Sequence, residues 1–220
     1  MSRRLLVLRP EPAASATVAR ARRRGLDAFA VPLFQIEPVA WDAPDASRFD
    51  ALLLTSANAV RHGGPELDKL RLLPVHAVGD ATADAARSAG FAVASTGEAG
   101  VDALLDAIPA DLALLHLCGE DRREPANARQ QITAVPVYRA METPAPHLRA
   151  EGCVALIHSP RAGRRFAELM TNRGSIAIAA ISRAAADAVG SGWESVAVAP
   201  TPTDDALLAL AERLCNNRGA

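Results

Sequence analysis

The chain contains one tyrosine, Tyr138, in the apolar, proline-bearing run Ala134-Val-Pro136-Val-Tyr138-Arg139. A phenol with an ordinary pKa near ~10 donates a proton or a hydrogen bond without being charged at neutral pH. Packing as an amphipathic residue at a domain junction is the other reading of that position. Elsewhere, short turns rich in hydroxyls and glycine close one apolar run after another: Thr55, Ser56 and Asn58; Gly79 and Thr82; Ser159 and Pro160; Ser182; and Thr203. Such side chains cap helices by accepting from backbone N–H groups. The same N–H groups, at the positive end of the helix dipole, also suit anions. Gly79 allows close backbone approach to a ligand. Arg9, after the first apolar run, and Arg161 are candidates for bidentate carboxylate binding. Arg164 and Arg165 read as solvated helix charge. Together these residues offer many ways to hold a small anion and one way to give it a proton.

Other chemistries lack their residues. No Gly-x-Gly-x-x-Gly and no phosphate-loop lysine follows any strand-like run. None of the five histidines has a histidine partner at metal-ligand spacing, so no metal site is expected. His158 precedes Ser159 directly and would point to the opposite side of a strand, which argues against a Ser/His/Asp triad. Cys118, Cys153 and Cys215 are odd in number and widely spaced, as unpaired thiols in a reducing cytosol would be. The 24 basic and 25 acidic residues nearly balance and aromatic residues make up 4%, so no nucleic-acid partner is expected. The first apolar run, Leu5–Leu8, is too short for a signal-peptide core, and no stretch approaches a membrane span. A cytoplasmic protein with no membrane partner is the expectation.

The elements that must position these residues come twice. At a displacement of 103 residues, Ala51–Arg61 lies over Val154–Arg164, Val78–Ala85 over Ile181–Ala188, and Asp102–Leu105 over Asp205–Leu208. Ala30–Phe34 matches Ala134–Tyr138 one residue further on. The unit repeated is a short apolar run, a turn and an Ala-rich helical pattern, the signature of buried parallel strands in βα units. Strands are expected at 5–8, 51–54, 75–78, 112–117, 154–157, 176–181 and 196–199, with extended segments at 29–33, 36–39 and 134–138. Helices are expected at 13–24, 57–62, 81–89, 102–108 and 184–189, after Ser159 with Pro160 at its first position, and from Asp205 onward.

With that order in place, the chain resembles the uroporphyrinogen-III synthase family. The resemblance rests on Leu8-Arg9-Pro10, Leu54-Thr55-Ser56-Ala57-Asn58-Ala59, Ala77-Val78-Gly79-x-x-Thr82-Ala83, Pro136-Val-Tyr138-Arg139, His158-Ser159-Pro160 and Pro202-Thr203, and on their spacing. It implies an α/β fold of two similar, discontinuous domains with parallel sheets, joined by two extended linkers. One domain takes residues 1–34 and 141–220, the other 41–133, and the linkers are 35–40 and 134–140. It further implies a monomeric enzyme without metal or organic cofactor that cyclises a carboxylate-rich linear tetrapyrrole, hydroxymethylbilane, with inversion of ring D and loss of water through a spiro intermediate. A transient contact with the enzyme producing the bilane belongs to the same expectation. Tyr138 matches the family's linker tyrosine, either as acid for the departing hydroxyl or as a binding group. One departure stands out: the second copy of the Gly-x-x-Thr turn reads Ser182-Arg183-Ala184-Ala185. A module that binds or senses a small anion without chemistry is the alternative.

Overall fold

Apolar runs of three or four residues make strands only where helices cover both faces of the sheet. Leu5, Leu6 and Val7 are all fully buried, as are Val154–Ile157 and Ala177–Ala180. The computed structural model describes residues 3–97, 100–122, 124–144 and 148–216. In chain order its elements are β1 (Leu5–Val7), α1 (Ala13–Arg23), β2 (Ala28–Ala30), β3 (Phe34–Pro38), β4 (Ala51–Leu54), α2 (Ala57–His62), β5 (Val75–Val78), α3 (Asp80–Ser88), β6 (Val93–Gly97), α4 (Val101–Asp106), β7 (Ala113–Gly119), β8 (Gln131–Glu142), β9 (Val154–Ile157), α5 (Pro160–Leu169), β10 (Ala177–Ala180), α6 (Arg183–Val189), β11 (Ser195–Val198) and α7 (Asp204–Asn216). The helices α2 and α5 begin at Ala57 and Pro160, α3 and α6 at Asp80 and Arg183, α4 and α7 at Val101 and Asp204. Each pair keeps the 103-residue displacement seen in the sequence.

The chain divides into two compact units, Met1–Gln35 with Glu142–Ala220, and Ile36–Met141. The first holds a parallel sheet of order β11-β10-β9-β1-β2. Leu5, Val7, Val154, Leu156, Ala177 and Ala179 pack on one face against α1 and α7, through Ala14, Val18, Leu207, Leu208 and Ala211. Phe166 of α5 stacks on Trp193, with ring centroids 5.2 Å apart.

The second unit holds a sheet of order β3-β8-β7-β4-β5-β6, parallel from β8 through β6. Leu52, Leu54, Val75, Ala77, Leu115 and Leu117 face a core that includes Ala59, Ala83 and Ala86 of α2 and α3. Ala51, Leu53 and Leu114 face Leu104 and Leu105 of α4.

Two elements differ from expectation. The strand β6 lies at the sheet edge and is largely half-exposed, so its Val-Ala-Ser-Thr-Gly run has no continuous apolar signature. The expected short extension at 134–138 is the interior of the twelve-residue β8, whose outer residues alternate between exposed and half-buried. No described helix is long and apolar enough to cross a membrane.

Candidate functional site

In an open parallel sheet, ligands bind at the carboxyl ends of the strands, where turns lead into helices. In the second unit this edge opens as a cleft of about 410 Å³, lined by Thr55, Ser56, Val78, Gly100, Val101, Asp102, Gly119, Asp121, Arg122 and Tyr138. That volume lies at the lower end of the range for small-molecule sites. Thr55 and Ser56 follow β4 directly. Ser56 is extended at φ −153° and accepts from the Asn58 amide at 3.2 Å, which starts α2. Tyr138 comes from β8 and lines the same cleft as Ser56, near enough for the Ser56 hydroxyl to act on the phenol. Burial raises the phenol pKa above its ordinary 10, outweighing the opposite pull of Ser56, and nearby Cys118 adds to the rise. Tyr138 therefore keeps its proton throughout the neutral range and beyond.

Beneath this wall, His116 of β7 is 2% exposed, with one imidazole nitrogen 3.0 Å from the Thr55 hydroxyl. Burial, reinforced by the Arg122 guanidinium, lowers its pKa to about 4, so it is neutral at physiological pH. The Arg122 guanidinium lies near enough to the Cys118 thiol to favour its charged form, yet burial still raises the thiol pKa. Arg122 also reaches Glu124 at 3.4 Å, and Glu124 is highly exposed. Asp102 accepts from the Ala126 amide at 2.8 Å.

The remaining candidates in this unit stand outside the cleft lining. Gly79 caps α3 at φ 80°, ψ 148°, backbone that is essentially reserved for glycine, and its amide donates to Gly97 at 2.8 Å. Thr82, expected to offer its hydroxyl to a ligand, is a largely buried residue of α3, at 5% exposure. Asn58 contributes the backbone amide that Ser56 caps.

The first unit gathers Arg9, Ser159, Ser182 and Thr203 at the carboxyl edge of its sheet, after β1, β9, β10 and β11. Ser159 accepts from the Ala162 amide at 3.2 Å, and Pro160 fills the first helical position. Ser182 accepts from Ala185 at 3.3 Å, which explains the departure in the repeated turn: a serine cap does here what glycine does before α3. Thr203 accepts from Ala206 at 3.3 Å. Arg161 stacks over the Phe34 ring, 4.6 Å from its centroid.

The carboxylate that Arg9 meets is the protein's own. Asp204 lies 3.3 Å from Arg9 and 2.8 Å from Nε2 of His158, pairs with Arg20, and accepts from the Thr17 hydroxyl at 3.1 Å. Its own burial works to raise its pKa, yet the His158 hydrogen bond and the Arg20 charge hold it well below the usual carboxylate range. Arg165, read from sequence as solvated charge, pairs with Glu142 and Glu168, both at 3.2 Å, whereas Arg164 is exposed.

Asp121 and Arg122 line the cleft although sequence reasoning gave them no role. Their signal was present: Glu120-Asp121-Arg122 follows a mostly apolar strand directly, the position where open sheets bind ligands. Among the described residues, no group of three or more His, Cys, Asp or Glu stands together to hold a metal ion.

Fold and cleft define an α/β protein of two parallel-sheet units, one of which carries a neutral phenol in a ligand-sized cleft. The chain belongs to the uroporphyrinogen-III synthase family, a family of lyases: the family described as "Uroporphyrinogen-III synthase HemD" matches residues 15–209. Among solved structures, the uroporphyrinogen-III synthetase of Helicobacter pylori is similar at a TM-score of 0.68 and 18% identity, over 96% of this chain and 99% of that one. A mutant uroporphyrinogen III synthase of Thermus thermophilus is similar at 0.54 and 19%, over 96% and 98%. These likenesses bear on the fold. No curated protein sequence matches the chain.

Proposed function

We propose that this protein cyclises hydroxymethylbilane to uroporphyrinogen III, inverting ring D and releasing water. Tyr138, the single tyrosine, in the cleft beside Ser56 with its proton held by burial, is the observation that carries the chemistry. In this reading the phenol gives its proton to the terminal hydroxyl of the bilane. The C–O bond breaks, water departs and an azafulvene remains. Attack by the substituted carbon of ring D then forms the spiro intermediate, which fragments and recloses with that ring inverted. The azafulvene is reactive without help, so the protein's larger contribution is to hold one conformation of a flexible chain.

Arg122 serves as the cation for a substrate carboxylate, because a guanidinium matches that group with two parallel N–H donors. Thr55, Ser56 and the amide of Asn58 supply the adjoining wall, and Gly79 the turn next to it. Arg9, Ser159, Pro160, Arg161, Ser182 and Thr203 are proposed as further substrate contacts of the first unit. No metal or organic cofactor enters this scheme, and we place the enzyme in the cytosol as a monomer that receives its unstable substrate through a passing contact with the enzyme making it.

Isomer analysis of the cyclised product tests the proposal. Freshly generated bilane closes unaided to the symmetric type I isomer, and added protein should divert it to type III. Tyr138→Phe should lower kcat by on the order of 10²-fold, with KM little changed. Type I product alone, from folded wild-type protein, would refute the activity.

A further inference from the structure

Tyr138 takes its place only because residue 119 has no side chain. The strands β7 and β8 pair in register up to Cys118 and Pro136, then shift so that Gly119 stands opposite Tyr138. Pro136 has no amide hydrogen to give to a ladder, and the residue skipped in the register, Val137, is fully buried in the core. Beyond this bulge pairing resumes, with the Glu120 amide donating to the Tyr138 carbonyl at 3.0 Å. A bulge of this kind redirects a side chain.

The redirected phenol ring lies against the bare Cα of Gly119. A methyl group built there would stand 2.8 Å from Cε2, 3.0 Å from Cζ and 3.2 Å from the hydroxyl oxygen of Tyr138. Apart from the residues adjoining Gly119, the three atoms nearest to that methyl group all belong to the Tyr138 side chain. Nor does the backbone require glycine, since Gly119 is not among the glycines with positive φ. What the position excludes is a side chain, and what it excludes it for is Tyr138.

We infer that Gly119 is the positioning residue for the Tyr138 phenol: the missing side chain sets where the hydroxyl sits beside Ser56. The consequence for turnover rests on Tyr138 acting as the acid proposed above, whereas the placement of the ring does not. Even alanine pushes the ring off the strand and carries the hydroxyl away from its site.

Gly119→Ala tests this, and the uniqueness of Tyr138 makes the readout clean. Titration of the phenolate absorbance reports Tyr138 alone, because the chain has no other tyrosine. The wild-type phenol should titrate above 10, and the variant should move back towards that ordinary value as the ring loses its cover. In the isomer assay, kcat should fall by on the order of 10²-fold, as displacement of about 1 Å can do, with KM little changed. An unchanged titration overturns the inference. A shifted titration with undiminished turnover supports the placement and removes the acid role from Tyr138, so the two claims fail separately. Should Gly119→Ala not fold, Tyr138→Ala and the double variant Gly119→Ala/Tyr138→Ala decide. With the ring gone the added methyl should be silent, and a double variant as damaged as the single one would overturn the proposal.

Discussion

His116 has nowhere to put a charge. It is 2% exposed, its neighbour Thr55 offers a neutral hydroxyl, and the nearby guanidinium of Arg122 repels a second cation. Above pH 6.5 neither the folded nor the unfolded chain protonates it, and it has no effect on stability. Between 6.5 and about 4 the unfolded chain takes up the proton and the folded protein does not. The native state then loses up to about 3 kcal/mol, the whole of it by pH 4. His116→Gln should therefore flatten part of the fall in melting temperature from pH 7 to 4.5. Other histidines whose pKa burial also lowers, His76 and His158 among them, contribute to the fall in the same sense. Identical slopes for variant and parent would show that His116 is not the group responsible. At this scale the sequence was legible wherever a side chain follows a strand, because the strand end dictates its place: Thr55, Ser56 and Tyr138 all line the cleft. It was not legible where tertiary packing decides direction. Thr82 is largely buried on its helix, and Arg9 is engaged by Asp204, a residue far away in sequence.

Among the helices, the two copies of the repeated turn start their helices by different means. Gly79 begins α3 through a φ of 80° with no side-chain cap, whereas Ser182 begins α6 in extended backbone with its hydroxyl on Ala185. A Cβ at Gly79 would meet nothing within 4 Å, so strain in the backbone is the sole obstacle to substitution there. Gly79→Ala should cost about 1–3 kcal/mol, and Ser182→Ala about 1 kcal/mol through loss of the cap. Thermal melting of the two variants checks both, and a Gly79→Ala protein as stable as the parent would contradict the strain argument. The strands buried on both faces were readable as unbroken apolar runs: β4, β5 and β9 fall on the expected residues. The strand β6 and the full length of β8 were not, because edge and half-exposed strands mix polar with apolar residues and lose that signature.

Across the whole molecule, duplication was the most legible feature, since a shared displacement survives even where individual residues have diverged. The bulge after Cys118, and with it the partnership of Gly119 and Tyr138, could not be read, because register is a property of two strands together. The first unit brings together chain segments from both sides of the second. Its β1 has β2 on one flank and β9 on the other, with Leu5 opposite both Ala28 and Val154. Two short strands and one helix do not make a stable sheet by themselves. During synthesis the apolar β1 must therefore wait for β9, some 150 residues later, while every strand of the second unit's sheet is already out. Stalled chains that end just before β9 should resist protease over the second unit and be cut around β1 and α1; protection of β1 at that length would contradict this order. At ribosomal speeds of roughly 5–20 residues per second, the gap lasts about 7–30 s. For that interval the nascent chain carries an unpaired sticky strand edge, and the protein's exposure to chaperones and to aggregation is set by translation rate rather than by the stability of the finished fold.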